Sequence, residues 1–146
     1  MKVYDYKKFF ESRLKLLAKE HTILDVGGGN PFQKTMSEYK EIFAGKRFQT
    51  LDIAPEYKPD IVGDIHNMPI RNESIDGVLC LSVLEHLHDP QKAVSEIHRV
   101  LRHGGKALVY THFIYPYHAR PGIYADYFRF TEEGLKHLFR HFSHVE

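Results

Sequence analysis

A single cysteine, Cys80, stands in the whole sequence, which excludes a disulfide framework within the chain. It falls in the apolar run VLCL, where a thiol is expected to pack as a small core side chain rather than act as a nucleophile. No stretch approaches the roughly 18 apolar residues of a membrane span. The opening MKVYDYKKFFESR lacks the apolar core of a secretion signal, so a cytoplasmic location is expected. Excess charge of one sign is missing too. Twenty basic against 19 acidic residues leave a net +1, with no field to gather nucleic acid or anionic lipid. There is no internal repeat, no low-complexity tract and no linker. What is present, 146 residues of which 42% are apolar, suits one domain with a real core over residues 1–146.

Along the chain, segments of helical and strand-like pattern alternate, which is the signature of an α/β fold. Tyr6, Phe9, Phe10, Leu14 and Leu17 recur at helical spacing between charged residues, predicting an amphipathic helix on one sheet face. The run Ile23, Leu24, Val26, broken by Asp25 alone, suits a central parallel strand buried on both faces. A helix from about Gln33 to Phe43 should lead to strands at Phe48 to Ile53 and Asp60 to Val62. Ile75 to Leu81 reads as the fourth strand and Pro90 to Leu101 as a helix. His103, Gly104 and Gly105 read as its stop, and Lys106 to Tyr110 as the fifth strand. A last helix begins after Thr131. The expected architecture is a Rossmann-like, doubly wound, mainly parallel sheet with helices on both faces.

The segment ILDVGGGNP, residues 23–31, joins a strand to a glycine-rich turn, after which a helix can accept Pro31 in its first turn. Gly27 and Gly29 lack a β-carbon, so a flat or extended ligand can lie against bare backbone. A dinucleotide fingerprint would need a third glycine three positions after Gly29, close to the helix that faces a pyrophosphate. Phe32 stands there instead, which disfavours a nicotinamide cofactor. A nucleoside sulfonium carries no phosphate and makes no such demand. Asp52, 23 residues after Gly29, ends the second strand beside the first, where a carboxylate can accept both hydroxyls of a ribose. Asp64 stands at the next tip and can accept an adenine amine, with the Ile65 amide facing the ring.

These residues carry a family resemblance. ILDVGGG at the first strand, LDI at the second, GDIHNMPIRNESIDGVLCLSVLEHLHDP through the fourth and EIHRVLRHGGKALV into the fifth resemble the type 11 class I methyltransferases over residues 21–112. The resemblance implies S-adenosylmethionine as cofactor. It implies Asp25, Gly27 and Gly29 at the methionine moiety, Asp52 and its neighbour Ile53 at the ribose, and Asp64 and Ile65 at the adenine. Leu81 and Ser82 would meet the amino-acid end. Pro31 and Arg71 depart from the commoner glycine and proline. The resemblance also implies a seven-stranded sheet of order 3-2-1-4-5-7-6, whereas the sequence ends at Val145 and Glu146. An order 3-2-1-4-5 is therefore expected, from a truncated chain or one whose fifth strand is covered by its own aromatic segment or paired in a homodimer.

That segment, from Tyr110 to Phe130, holds eight aromatic residues among Pro116, Pro121, His112, His118, Arg120, Asp126 and Arg129. It follows the fifth strand on the edge where open α/β sheets bind ligands, so residues 111–130 read as a lid over a small-molecule, saccharide or lipid methyl acceptor. A packed aromatic subcore is the alternative. Direct in-line displacement needs mainly positioning, which can remove about 7 to 11 kcal/mol of barrier. Where a base is used, His112 and His118 are the candidates, since imidazole ordinarily titrates near neutrality, with Asp126 and Tyr115 behind them. No metal site is expected: His86 and His88 are two apart, and His137 and His141 lack a zincin glutamate. A non-catalytic binding module and, less so, a nicotinamide-dependent oxidoreductase remain as alternatives.

Overall fold

The computed structural model describes residues 5–146; residues 1–4 of the expected domain lie outside it. Five strands, β1 (Thr22–Val26), β2 (Arg47–Asp52), β3 (Ile61–Val62), β4 (Ile75–Leu81) and β5 (Leu101–Tyr110), form one sheet. Their order is β3-β2-β1-β4-β5 and every pairing is parallel, as expected. All five residues of β1 are buried.

Alternate side chains feed two cores, as the two-residue period of a strand requires. Leu24, Val26, Val78 and Cys80 face α2 (Pro90–Val100) and α3 (Glu132–Leu138), with Ala107 and Val109 packed on the same side. Ile23 and Leu79 face α1 (Tyr6–Leu17) and a 3₁₀ helix at Lys34–Phe43. On α1, Phe10, Leu14 and Leu17 enter the core, while Tyr6 and Phe9 stay exposed; the Arg13 guanidinium lies over the Phe9 ring. Cys80 is fully buried and burial pushes its thiol pKa up, as a packing residue demands. Each α-helix starts at a side-chain cap. Asp5, Asp89 and Thr131 accept from the amides of Lys8, Lys92 and Gly134, satisfying donors that the helix leaves free.

Two expectations need correction. Pro31 is not in a helix. The chain turns through Phe32 and Lys34, both with positive φ, and the segment after it, Lys34–Phe43, is a 3₁₀ helix that buries Met36 and Phe43. The stop assigned to His103–Gly105 is part of β5, which begins at Leu101 directly after α2. The β4–β5 register shifts between Ile75 and Gly77, and Gly104, at φ 77°, lies within the extra residues that the bulge takes up. Among the described residues β5 has β4 as its one ladder partner, and the aromatic segment turns back across the strand ends, where the Tyr127 and Phe128 amides donate to the Glu85 carbonyl and the Phe130 amide to that of His112.

No helix among the described residues is long and apolar enough to cross a membrane.

Candidate active site

A parallel sheet whose strand order reverses between β1 and β4 opens a crevice at its C-terminal edge. Here the crevice is a cavity of about 830 Å³. Asp25, Gly27, Asp52, Ile53, Asp64, Ile65, Leu81 and Ser82 all line it, so the sequence pattern has selected residues from four successive strand tips that meet in space. Gly29 does not line it; Gly28 does. A β-carbon on Gly29 would point at the Gln33 amide, 2.3 Å away, and at Tyr57. Its part is the turn itself, at φ 57°. At Gly27, φ 73° with a β-carbon position 2.4 Å from Val83 Cγ2, any side chain would both strain the turn and collide. Gln33 closes the loop by donating from Nε2 to the Gly28 carbonyl at 2.9 Å.

The carboxylates have distinct surroundings. Asp25 is buried, and burial together with the charge of Asp52 pushes its pKa up to about 7. Asp52 is also buried, with Oδ1 accepting the Ala54 amide at 2.9 Å, which leaves its second oxygen for another partner. Asp64 caps the short turn Ile65–Asn67. Burial would raise its pKa, but hydrogen bonds from the His66 amide and ring outweigh that and hold it below the usual range. Ser82 sits at φ 55°, a conformation that costs energy for a residue with a side chain. Its amide donates to the Tyr110 carbonyl at 2.8 Å, which holds the tip of β4 against the end of β5.

The other wall is made by the aromatic segment. His112, Tyr115 and His118 line the cavity, whereas Tyr117 is 78% exposed and does not. His112 stacks on Tyr115 with ring centroids 4.2 Å apart, and His118 meets the Tyr115 ring edge-on. The segment is not a packed subcore: Phe113, Tyr115, Tyr117, Tyr127 and Phe128 are all exposed. A polar centre holds it instead. The Asp126 carboxylate, its side chain 1% exposed, accepts from Arg129 and from the His118 amide. The Arg129 bond leads in holding the Asp126 pKa well below the carboxylate range. Arg129 also donates to the carbonyls of Tyr115 and Pro116.

Several lining or supporting residues were not singled out by sequence. His86 and His88 both line the cavity despite their spacing of two, because residues 84–86 form a single 3₁₀ turn that carries His86 onto Tyr124 and His118 and leaves His88 against His66. Glu85, just before His86, is fully buried. Its Oε2 accepts from Thr111 Oγ1 at 2.7 Å, and its Oε1 faces His112 Nε2 at 3.3 Å. Phe32, which spoke against a dinucleotide, stacks on Phe48 at 4.3 Å and packs in the core.

Residues 24–109 match the type 11 family described as a methyltransferase domain. Among curated proteins the chain is 35% identical over 104 residues to the tRNA (carboxymethyluridine(34)-5-O)-methyltransferase ALKBH8 of Macaca fascicularis, covering 66% of this chain and 15% of that protein. It is 30% identical over 92 residues to an uncharacterized protein of Methanocaldococcus jannaschii, covering 62% and 40%. The chain thus spans less than half the length of either relative. Among solved structures it is similar to a chain in the complex of the Haloferax volcanii Trm112 methyltransferase activator with a methyltransferase, at TM-score 0.63 and 22% identity, covering 92% of this chain and 69% of that one. It is also similar to the Burkholderia thailandensis 1,6-didemethyltoxoflavin-N1-methyltransferase solved with 1,6-didemethyltoxoflavin and S-adenosylhomocysteine. There the TM-score is 0.62 and the identity 21%, over 89% of this chain and 63% of that one. At such identities the structural likeness speaks for the fold, and the matched residues 24–109 speak for the lineage: the chain belongs to the type 11 methyltransferase-domain family.

Proposed function

We propose that this chain is an S-adenosylmethionine-dependent methyltransferase whose acceptor is a small molecule, a saccharide or a lipid. One observation carries the reading. The residues of the strand tips and the two histidines of the aromatic segment line the same cavity of about 830 Å³, so a donor and an acceptor have room to meet there. The cavity is not filled by side chains, which disfavours a non-catalytic module. Phe32 in the core disfavours a dinucleotide.

The residues present fit such a donor. The turn at Gly27 and Gly28 offers bare backbone to an extended ligand, and Asp52 offers a buried oxygen to a ribose hydroxyl. Asp64 and Ile65 stand at the next tip for an adenine, while Asp25, Leu81 and Ser82 surround the place left for a methionine moiety. When bound, the donor supplies a methyl group already activated by its sulfonium. The protein's own contribution is to hold the acceptor in line against the wall that carries His112 and His118. The Burkholderia enzyme, with a fold like this one, holds S-adenosylhomocysteine. The near-neutral charge of this chain favours a small acceptor over a nucleic acid.

Titration calorimetry of the full chain with S-adenosylhomocysteine tests the reading. One site per chain is expected; absence of binding to a folded chain overturns it.

A further inference from the structure

We propose that Glu85, His112 and His118 form a site for a divalent transition-metal ion at the acceptor end of the cavity. One potential ligand atom from each lies within 4.8 Å of the others. The donor set, two imidazoles and one carboxylate, is that of first-row transition metals rather than of magnesium or calcium. Glu85 comes from the turn after β4 and both histidines from the aromatic segment, which is why the histidine spacings in the sequence gave no sign of them.

The observation that points to a ligand is Glu85. A carboxylate taken wholly out of water must be paired or coordinated. Glu85 is 0% exposed, yet its Oε1 has no hydrogen-bond partner. His112 Nε2 is 3.3 Å from that oxygen, near enough for an ion pair but not directed as a hydrogen bond. No lysine or arginine among the described residues forms a salt bridge with it. An electron-rich oxygen and an imidazole nitrogen thus face one another in a dry place, and a cation between them satisfies both.

His118 is prepared in the same sense. Its Nδ1 is engaged by Asp126 Oδ2 at 3.2 Å and by the Pro116 carbonyl at 3.0 Å. Both partners are acceptors, which places the proton on Nδ1 and leaves the Nε2 lone pair as a donor, the arrangement of metal-bound histidines whose other nitrogen is held by a carboxylate. Asp126 is in turn fixed by Arg129. Ligand bonds of about 2.0 to 2.2 Å require the donor atoms to lie a little over 3 Å apart. Glu85 and His112 already meet that distance, and the ligand atom of His118 lies within 4.8 Å of theirs.

Three protein ligands leave an open position toward the cavity. The role of the ion there rests on the methyltransferase reading, whereas the site itself does not. An ion held there would supply a Lewis acid: an acceptor hydroxyl at the open position would lose its proton to solvent more readily, because a bound dication favours the oxyanion. Its oxygen would then form the bond to the methyl carbon as the carbon–sulfur bond breaks with its electron pair left on sulfur.

The test is titration of the chelator-treated full chain with Co²⁺, followed by visible ligand-field absorption and by displacement with Zn²⁺. One Co²⁺ per chain is expected. Asp126→Asn should weaken it by about 10- to 100-fold, and Glu85→Gln and His112→Ala by more. His137→Ala with His141→Ala should change nothing. His112→Ala, which alters a partly exposed side chain, keeps the test decisive if Glu85→Gln does not fold. Two results overturn the proposal: no Co²⁺ bound by a chain that binds S-adenosylhomocysteine, or Co²⁺ binding that survives both Glu85→Gln and His112→Ala. Stoichiometric Co²⁺ without any binding of S-adenosylhomocysteine would uphold the site and defeat the methyltransferase reading alone.

Discussion

Asp25 and Asp52 stand on neighbouring parallel strands and line one cavity, and the charge of Asp52 adds to burial in pushing the Asp25 pKa up to about 7. Two carboxylates at adjacent strand tips make a place where a positive ligand is favoured and where its absence is costly to the protein.

The first prediction follows from the sign of that shift. The native chain binds a proton on Asp25 that the unfolded chain, with an ordinary carboxylate, has already lost. The Asp25 contribution to stability without ligand is therefore fully present below about pH 4 and is lost as pH rises to about 7, by on the order of 4 kcal/mol. The sulfonium of S-adenosylmethionine prefers the ionised form, so affinity for S-adenosylmethionine should increase about tenfold from pH 6 to 8, with proton release on binding. Calorimetry in two buffers of different ionisation heat measures this. In Asp25→Asn both the stability slope and the proton release should vanish.

Asp52 should hold the ribose of the donor. Hydrogen bonds to a charged acceptor are worth about 1.5 to 3 kcal/mol each, so Asp52→Ala should weaken S-adenosylhomocysteine binding by roughly tenfold or more in a chain that still folds. Unchanged affinity in a calorimetric titration would remove Asp52 from the donor site.

Tyr115 and Tyr117 separate the roles of the aromatic segment. Tyr115 lines the cavity and stacks on His112, while Tyr117 points to solvent. Tyr115→Ala should lower acceptor turnover and leave donor affinity within a few-fold; Tyr117→Ala should do neither. Equal losses of donor binding and turnover in Tyr115→Ala would mark the segment as support for the fold only.

Strands β1 and β4 were legible because each is a compact, mainly apolar run, and Asp52 and Asp64 because they stand at successive strand tips, whereas Asp25, Leu81 and Ser82 rested on the family resemblance. Local pattern failed where tertiary contacts decide. Residues 34–43 carry a helical pattern, yet the chain winds there as a 3₁₀ helix. Leu101 reads as the end of a helix, yet it pairs with Ile75 as the start of β5. Nothing local marks Glu85 as buried, since a glutamate in LEHLHD reads as a solvated residue. Its burial comes from Thr111 and the returning backbone of Tyr127 and Phe128, 26 to 43 residues away in the chain. The histidines at 112 and 118 were legible as candidates because they stand in an aromatic segment on the ligand edge.

Arg129 is the tie that keeps this segment closed. Its guanidinium spans the Asp126 carboxylate and the carbonyls of Tyr115, Pro116 and Phe128, so it joins residues that would otherwise form a long loop with mostly exposed side chains. None of these partners belongs to the sheet. Its loss should therefore leave the global melting temperature nearly unchanged while releasing residues 113–128 locally, as segments with few buried apolar contacts do. Arg129→Ala should show faster amide exchange in that stretch, a raised KM for the acceptor, and S-adenosylhomocysteine affinity within a few-fold of the parent. Arg129→Lys should restore little, because a point charge cannot reproduce the planar fork on Asp126. Hydrogen exchange read by mass spectrometry decides between this and a segment held by its aromatic rings, for which residues 113–128 would stay as protected as in the parent.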